Sequence, residues 1–205
     1  TSRVVERNRW EKPAEIEGYF VGLNMTPDGR IVMSTDHGWL VSLKRDFSSY
    51  EAIRLPGAAE EASDHCARME TERGNTAYGW VRTSMCCDDD GGIYVNSLNN
   101  LHKVVWTGAA LSLDPADGAW SAAYRNGTAT GSGTTPSLMG FGPDEDRFVV
   151  IGDGDEVVNI TLFWRDAIPD DWEQIPGAPS RRIAGIGPAH MGDPTRTAIQ
   201  TEQSI

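Results

Sequence analysis

The stretch LNMTPDGRIVMSTDHGWLVSL, residues 23–43, sets the pattern of this chain: three apolar runs separated by a Pro-Asp-Gly turn and by a short polar turn. Two later stretches repeat this order, TSMCCDDDGGIYVNSLNNLHKVVW at residues 83–106 and LMGFGPDEDRFVVIGDGDEVVNITLFW at residues 138–164. When the stretches are aligned on Ile31, Ile93 and Phe148, they recur after 62 and 55 residues. Repeats of this size that consist of strands and turns are typical of a β-propeller.

We therefore predict an all-β fold, a partial β-propeller of four-stranded antiparallel blades with about three blades, the start of a fourth and one short helical insert. Closed propellers have four to eight blades. We expect this chain to be a piece of a longer polypeptide, or one chain of an assembly that completes the ring. The predicted segments are a lead-in at 1–17, a blade at 18–57, the helical insert at 58–77, blades at 78–126 and 127–177, and a loop with the first strand of a further blade at 178–205.

The helical insert interrupts the strand pattern with the residues AAEEASDHCARMETERGN at 58–75. It contains few β-branched residues, and it places Ala62, Cys66 and Met69 at the spacing of one helical face. Within the blade at 127–177, residues 157–164 are predicted to form the longest and most apolar strand of the chain.

Charge and hydropathy argue against nucleic-acid binding and against a membrane span. The chain has 18 basic and 30 acidic residues in 205, a net charge of -12. Because binding to phosphates needs clustered Lys and Arg, we expect no nucleic-acid partner. No run approaches the roughly 18 consecutive apolar residues of a membrane span, so we expect none. No segment decides the compartment, and a periplasmic or secreted location is slightly favoured.

The three cysteines, Cys66, Cys86 and Cys87, match no zinc-binding spacing. The adjacent Cys86 and Cys87 are compatible with a vicinal disulfide, or with a bond from one of them to Cys66. They are equally compatible with small apolar residues at the end of a buried strand.

Polar turns between the second and third strands of each repeat are the candidate ligand site. These turns meet at one mouth of a propeller, and carboxylate and carbonyl oxygens suit hard cations such as calcium. The same residue types also serve the backbone geometry of tight turns, so both interpretations stay open. The candidate ligand or metal residues, including two at the starts of innermost strands, are Glu17, Asp36, Asn99, Asn100, Asp153, Asp155 and Glu202.

The sequence contains no catalytic signature: no Gly-x-Ser-x-Gly elbow, P-loop or dinucleotide fingerprint occurs. Among the four histidines, His37 lies in a predicted mouth turn and is the candidate general base, although a surface turn histidine fits the pattern too. The run Asp88-Asp89-Asp90 lacks the spacing of an EF-hand and is interpreted as a solvated hairpin turn.

Two families share features with the chain. The segment GAALSLDPADGAW at residues 108–120 is similar to the repeat of quinoprotein-type propellers. The adjacent Cys86 and Cys87 resemble the vicinal disulfide of quinoprotein alcohol dehydrogenases, and this resemblance implies pyrroloquinoline quinone (PQQ) as cofactor. The turn at Asn24 to Gly29 and the pair Glu17-Gly18 resemble calcium-dependent propellers of the gluconolactonase (SMP-30-like) type. That resemblance implies a calcium ligand set at Glu17, Asn99 and Asp153.

Three functions are compatible with these features. The first is a small-molecule-binding propeller, in which calcium or another divalent cation would assist the hydrolysis of a lactone or ester. The second is a quinone-dependent oxidoreductase. The third is a non-catalytic scaffold that presents its rim to protein partners. The expected partners are a small molecule and the remainder of the propeller, or a second chain that closes the ring.

Overall fold

The computed structural model describes residues 5–58 and 81–202, together with Ala67 and Thr71. Apart from the helical residues Ala67 and Thr71, this part of the chain is all-β, with three antiparallel sheets of four or five strands and a 3-10 helix at Pro115–Asp117. Most of the predicted helical insert at 58–77, including Cys66, lies outside the described residues; Ala58 lies in a turn, and Ala67 and Thr71 are helical. Within the described residues, no helix is long and apolar enough to cross a membrane.

Each sheet is formed by strands that are consecutive in the chain, so the three sheets follow one another along the sequence. Sheet A contains β1 (Phe20–Met25), β2 (Ile31–Thr35), β3 (Trp39–Leu43) and β4 (Tyr50–Arg54). Sheet B contains β5 (Cys86–Cys87), β6 (Gly92–Asn96), β7 (Asn100–Trp106), β8 (Leu111–Ser112) and β9 (Trp120–Ala123). Sheet C contains β10 (Ser137–Met139), β11 (Phe148–Gly152), β12 (Asn159–Trp164) and β13 (Ile183–Pro188).

The first turns of sheets A and B are specified by local chemistry. In sheet A the amide of Gly29 donates to the carbonyl of Thr26, and Gly29 has φ +87°, a conformation that glycine adopts without strain. Gly91 occupies the corresponding turn of sheet B, also with φ +87°. The strands on either side are rich in β-branched and aromatic residues, which favour extended backbone.

Two apolar clusters join the sheets in pairs. All five residues of β6 are buried, because both faces of sheet B are covered by neighbouring sheets. One cluster packs sheet A on sheet B and includes Val32, Leu40, Ile93, Val95, Val104 and Trp106. The other packs sheet B on sheet C and includes Tyr94, Leu101, Tyr124, Val149, Ile151, Phe163 and Ile183.

The outer face of sheet A is covered in part by the lead-in. Ile16 is buried against Met33, Val41 and Leu43, and Trp10 packs at the edge of the same cluster. Strand β1 extends beyond this cover, and its side chains Leu23 and Met25 are exposed.

Three details of the strand pattern differ from the sequence prediction. The sheet that begins in the predicted blade at 127–177 does not end at residue 177, because β13 is its fourth strand. Residues 197–202 form no strand; Ile199 instead makes an isolated parallel bridge with Val157. The longest described strand is β7 with seven residues, whereas β12 has six and begins at Asn159.

Candidate functional site

The polar turns singled out from the sequence lie at one end of the three sheets, where the second strand of each sheet leads into the third. In sheet A, Asp36 Oδ1 accepts a hydrogen bond from the Tyr19 amide at 2.8 Å and lies 2.8 Å from His37 Nδ1. Both side chains are buried, and a Cβ on Gly18 would stand 2.2 Å from Asp36 Oδ1. The Asp36–His37 pair therefore fastens the start of β1 to this turn, and a role of His37 as general base stays a prediction.

In sheet C the turn carboxylates bind backbone and amide groups. Asp153 Oδ1 accepts from the Asn159 amide at 2.8 Å, and Asp153 Oδ2 accepts from Asn159 Nδ2 at 2.7 Å. Asp155 Oδ1 accepts from the Gly127 amide at 2.9 Å. Burial raises the pKa of Asp153 above its ordinary value, although the hydrogen bonds from Asn159 oppose that effect. These contacts explain the two carboxylates as turn-forming groups.

The corresponding turn of sheet B is held by amides. Asn99 Oδ1 accepts from Asn126 Nδ2 at 2.9 Å, and the carbonyl of Asn99 accepts from the Tyr124 amide at 3.1 Å. The carbonyl of Asn100 accepts from the Ser97 amide at 2.8 Å. These contacts lie within sheet B and its following loop.

Three of the predicted ligand residues, Asp153, Asp155 and Glu202, line one cavity of about 10 Å³. This volume holds about one water molecule. Glu202 forms an ion pair with Arg82 at 2.9 Å, and Glu17 forms one with Arg54 at 3.5 Å. Among the described residues, no group of three or more His, Cys, Asp or Glu side chains is arranged to hold a metal ion. The predicted ligand set also includes the amides Asn99 and Asn100, and the calcium site stays a prediction.

A larger polar cavity lies between sheets B and C at the opposite end, where first strands lead into second strands. We call it the B–C cavity; its volume is about 140 Å³. Its walls come from the end of β5 and the turn after it, from β10 and the loop after it, and from the residue that follows β12. The lining residues are Cys87, Asp88, Asp89, Leu138, Phe141, Arg147 and Arg165.

Arg165 is the most buried charged side chain of the B–C cavity, with 2% of its surface exposed. Its amide donates to the carbonyl of Arg147 at 2.9 Å, which places it directly after the last pair of the β11–β12 ladder. Its carbonyl accepts from Lys103 Nζ at 3.3 Å and from Trp120 Nε1 at 3.1 Å, so sheet B holds this backbone in place.

The guanidinium of Arg165 has few acceptors. Nη2 donates to the carbonyl of Gly140 at 3.3 Å, while Nε is buried and has no hydrogen-bond partner. The guanidinium carbon lies 5.9 Å from the centre of the Phe141 ring. No ion pair within the described part of the chain includes Arg165. A charged group so deeply buried is normally paired, so this one is an exception.

Asp88 is the buried acid of the same cavity. Its Oδ1 accepts from the amides of Gly92 at 2.6 Å and Asp90 at 3.0 Å, and its Oδ2 accepts from the Tyr94 hydroxyl at 2.6 Å. Burial, followed by the charge of Asp88, raises the pKa of Tyr94 far above its ordinary value. Tyr94 is therefore a neutral donor at any physiological pH.

The rim of the B–C cavity carries an ion-pair network. Arg147 Nη1 lies 3.1 Å from Asp90 and 3.3 Å from Asp166, and Lys103 Nζ lies 3.1 Å from Asp166. The hydrogen bonds to Asp90 and Asp166 raise the pKa of Arg147. The network ties sheet B to sheet C beside the cavity, and it keeps the carboxylate of Asp166 with Arg147 and Lys103.

Cys86 and Cys87 are free thiols, so the vicinal disulfide considered from the sequence is not formed. Burial raises the pKa of both thiols to about 12, and the charge of Asp88 adds to the effect. Both are therefore protonated at neutral pH. Cys87 contributes a neutral, weakly polar wall to the cavity rather than a thiolate nucleophile.

The sequence did not single out Arg165, Arg147 or Asp88 as site residues. The three-aspartate run was assigned to a solvated turn, and this describes the exposed Asp89 and Asp90 but not the buried Asp88. Arg165 follows the apolar strand NITLFW, and a basic residue just after a strand usually reaches solvent. Only the packing of sheet B against sheet C reveals that this arginine is enclosed.

Comparison with known proteins gives one informative similarity. No family model matches the chain. The chain is similar over its whole length to an uncharacterized protein of Archaeoglobus fulgidus, with 35% identity over 211 aligned residues. It spans 37% of the length of that relative.

Proposed function

We propose that the three sheets are consecutive blades of a β-propeller and that the protein binds a small molecule with an anionic group in the B–C cavity. The propeller arrangement is supported by the order of the strands within each sheet and by the two apolar clusters that join A to B and B to C. A relative much longer than this chain is consistent with further blades elsewhere in the polypeptide.

The observation that carries the binding function is the buried, unpaired guanidinium of Arg165. Removing an arginine from water without a counter-charge costs several kcal/mol, and a bound carboxylate or phosphate would offset much of that cost. Arg165 lines a cavity that is large enough for a small organic molecule, and its buried Nε has no hydrogen-bond partner. A structural arginine would be expected to use its full set of donors on protein acceptors.

The junction between sheets A and B shows how the same position is filled when it has a purely structural role. There, Trp106 at the end of the third strand of sheet B donates from Nε1 to Asp28 at 2.8 Å. Arg165 follows the end of the third strand of sheet C, yet no carboxylate of sheet B pairs with it. Asp90, in the turn position that Asp28 occupies in sheet A, pairs with Arg147 instead.

Isothermal titration with acetate and with inorganic phosphate tests this function. We expect at least one of the two anions to bind the wild-type chain and the binding to be lost in Arg165→Gln. Arg30→Gln is the matched control, because Arg30 also lies beside a junction of two sheets but donates to Ser42 Oγ and to the carbonyl of Ser42. The proposal fails if neither anion binds, or if both bind Arg165→Gln as tightly as wild type.

A second function, docking of a further blade, is supported by the exposed face of β1. Val21, Leu23 and Met25 are exposed on this strand, with Leu23 at 66%, and an apolar groove of about 350 Å³ runs beside them. Exposed apolar surface of this kind marks an interaction site. We propose that a sheet from the flanking sequence covers it and continues the ring.

Maleimide labelling of Leu23→Cys tests the docking surface. The reaction should be fast in the 205-residue chain and slow in a polypeptide that carries the flanking sequence. Equal rates in the two would contradict the proposal.

Metal-assisted hydrolysis and quinone-dependent oxidation stay hypotheses from the sequence, since the described residues supply neither a metal ligand set nor a disulfide.

A further inference from the structure

The B–C cavity presents buried charge of both signs, and this bears on what kind of anion it accepts. We propose that its ligand is a small zwitterion of the α-amino-acid class, with its carboxylate at Arg165 and its ammonium group at the Asp88–Asp89 wall. This inference rests on the proposed binding function and adds the chemical class of the ligand.

The positive wall is formed by Arg165, with Arg147 at the rim. Arg147 has its Nη1 engaged by Asp90 and Asp166, so its charge is largely balanced. The guanidinium of Arg165 forms an ion pair with no carboxylate among the described residues, and its buried Nε has no hydrogen-bond partner. A carboxylate placed against Arg165 would make a charge-assisted hydrogen bond with its guanidinium.

The negative wall is formed by Asp88 and Asp89. The two oxygens of a carboxylate have about four acceptor positions, and Asp88 uses three of them on Gly92, Asp90 and Tyr94. None of the ion pairs within the described ranges includes Asp88 or Asp89. One acceptor position of Asp88 and the carboxylate of Asp89 are thus available to a donor that carries positive charge.

The two walls are close enough to act on the same groups. Burial is the main cause that raises the pKa of Cys86; the charge of Asp88 adds to this effect and the charge of Arg165 opposes it, and both charges act in the same directions on the pKa of Tyr94. They nevertheless form no ion pair, since their charged atoms are more than 4.0 Å apart. Separated charges of opposite sign across one cavity match a ligand that carries both.

Size and the charge of the whole chain favour the same class. A volume of about 140 Å³ is roughly ten times the 10–15 Å³ that holds one water, which leaves room for a ligand of several non-hydrogen atoms. Leu138, Phe141 and the neutral thiol of Cys87 offer an apolar wall for a small side chain. The net charge of -12 repels a simple anion over a distance but not a molecule without net charge.

Competing probes of matched size test the inference on the wild-type chain. Titrations at pH 7 with alanine, glycine, acetate and methylammonium chloride should show that alanine or glycine binds at least tenfold tighter than acetate. Methylammonium should show no measurable binding. These comparisons need no substitution, so they stand even where a variant fails to fold.

Asp89→Asn provides the second arm, because Asp89 is exposed and its replacement leaves the buried turn of Asp88 intact. It should weaken alanine binding several-fold and leave acetate binding unchanged or tighter. Asp144→Asn, an exposed acid that does not line the cavity, is the matched control and should change neither affinity.

The outcomes separate this inference from the binding function on which it rests. If acetate binds as tightly as alanine, the zwitterion assignment is wrong while the anion-binding function stands. If Asp89→Asn leaves alanine binding unchanged and Asp88→Asn, confirmed as folded by circular dichroism, also leaves it unchanged, the acidic wall has no role and the assignment is again wrong. If no probe binds, both proposals are wrong.

Discussion

The indole Nε1 of Trp106 donates a 2.8 Å hydrogen bond to Asp28 Oδ2, and this bond joins the end of β7 in sheet B to the first turn of sheet A. Asp28 also accepts from the hydroxyl of Thr26, and these bonds lower the pKa of Asp28, with Thr26 making the larger contribution. The guanidinium of Arg30 lies 4.2 Å from the centre of the Trp106 ring and covers it. One tryptophan thereby connects two sheets through a polar contact at the edge of an apolar cluster.

Replacing Trp106 with Phe should destabilise the chain because Asp28 loses a donor at a partly buried contact. We expect a loss of about 1–2 kcal/mol in the free energy of unfolding beyond the effect of the smaller ring. Urea denaturation followed by circular dichroism measures it. Trp39→Phe is the control, since Trp39 Nε1 is buried without a partner and its removal breaks no hydrogen bond. Equal losses in the two variants would show that the bond to Asp28 contributes nothing.

Gly91 and Gly29 occupy the same turn position and differ in what surrounds them. Both have φ +87°, so alanine at either position costs about 1–2 kcal/mol for the left-handed conformation. A Cβ on Gly91 would also stand 2.4 Å from the carbonyl oxygen of Trp106, whereas a Cβ on Gly29 meets nothing within 4 Å. Gly91→Ala should therefore lose at least about 2 kcal/mol more than Gly29→Ala in urea denaturation. Similar losses would mean that the turn moves away from β7 without cost.

The strands of sheet A could be predicted closely because each is bounded by residues with one dominant preference. Pro27, Asp28 and Gly29 specify a turn, and the runs beside them are rich in β-branched residues. The same reasoning missed β13, whose sequence IAGIGP contains two glycines and ends in proline, residues that are depleted in strands. Strand β13 is stabilised by its pairing with β12 along Asn159–Phe163. The local sequence of β13 gives no sign of this pairing.

The candidate site was harder to predict because its residues become special only through packing between sheets. Asp36 and Asp153 stand out in the sequence as turn oxygens, and in the structure those oxygens bind neighbouring amides. No local sequence signal marks Arg165, because its burial depends on sheet B. Lys103 of sheet B, which contacts the carbonyl of Arg165, lies 62 residues earlier in the chain. Sequence periodicity predicts which residues form strands, but not which charged side chain two strands enclose.

His102 should make the stability of the chain depend on pH. It is fully buried between Ser97 Oγ at 2.8 Å and Ser121 Oγ at 2.7 Å, and burial lowers its pKa from 6.5 to about 4. Between these values the unfolded chain binds a proton that the folded chain does not, so stability rises with pH from 4 to 6.5 and is lost as the pH falls. The loss is about 3 kcal/mol.

The pH dependence of His102 can be isolated by comparison with His102→Gln, which keeps a donor and an acceptor but does not titrate. Urea denaturation of both proteins at pH 7.5 and at pH 4.5 should show a smaller loss of stability in the variant. Carboxylates that titrate in this range contribute equally to the two proteins and cancel. If the two proteins lose the same stability, the proton balance of His102 does not contribute.

Cys86 and Cys87 should react slowly with iodoacetamide in the folded chain. Burial raises the pKa of both from 9.0 to about 12, so the thiolate fraction at pH 8 falls about 1000-fold. We expect both residues to be alkylated about 1000-fold more slowly in the folded chain than in the urea-unfolded chain. Peptide mass mapping measures the two rates. The rate in the folded chain should still rise about tenfold per pH unit between pH 8 and pH 10, because neither thiol has titrated there. A rate that levels off below pH 10, or a disulfide-linked peptide that contains both residues, would contradict two free, protonated thiols and would return the quinoprotein-like pair to consideration.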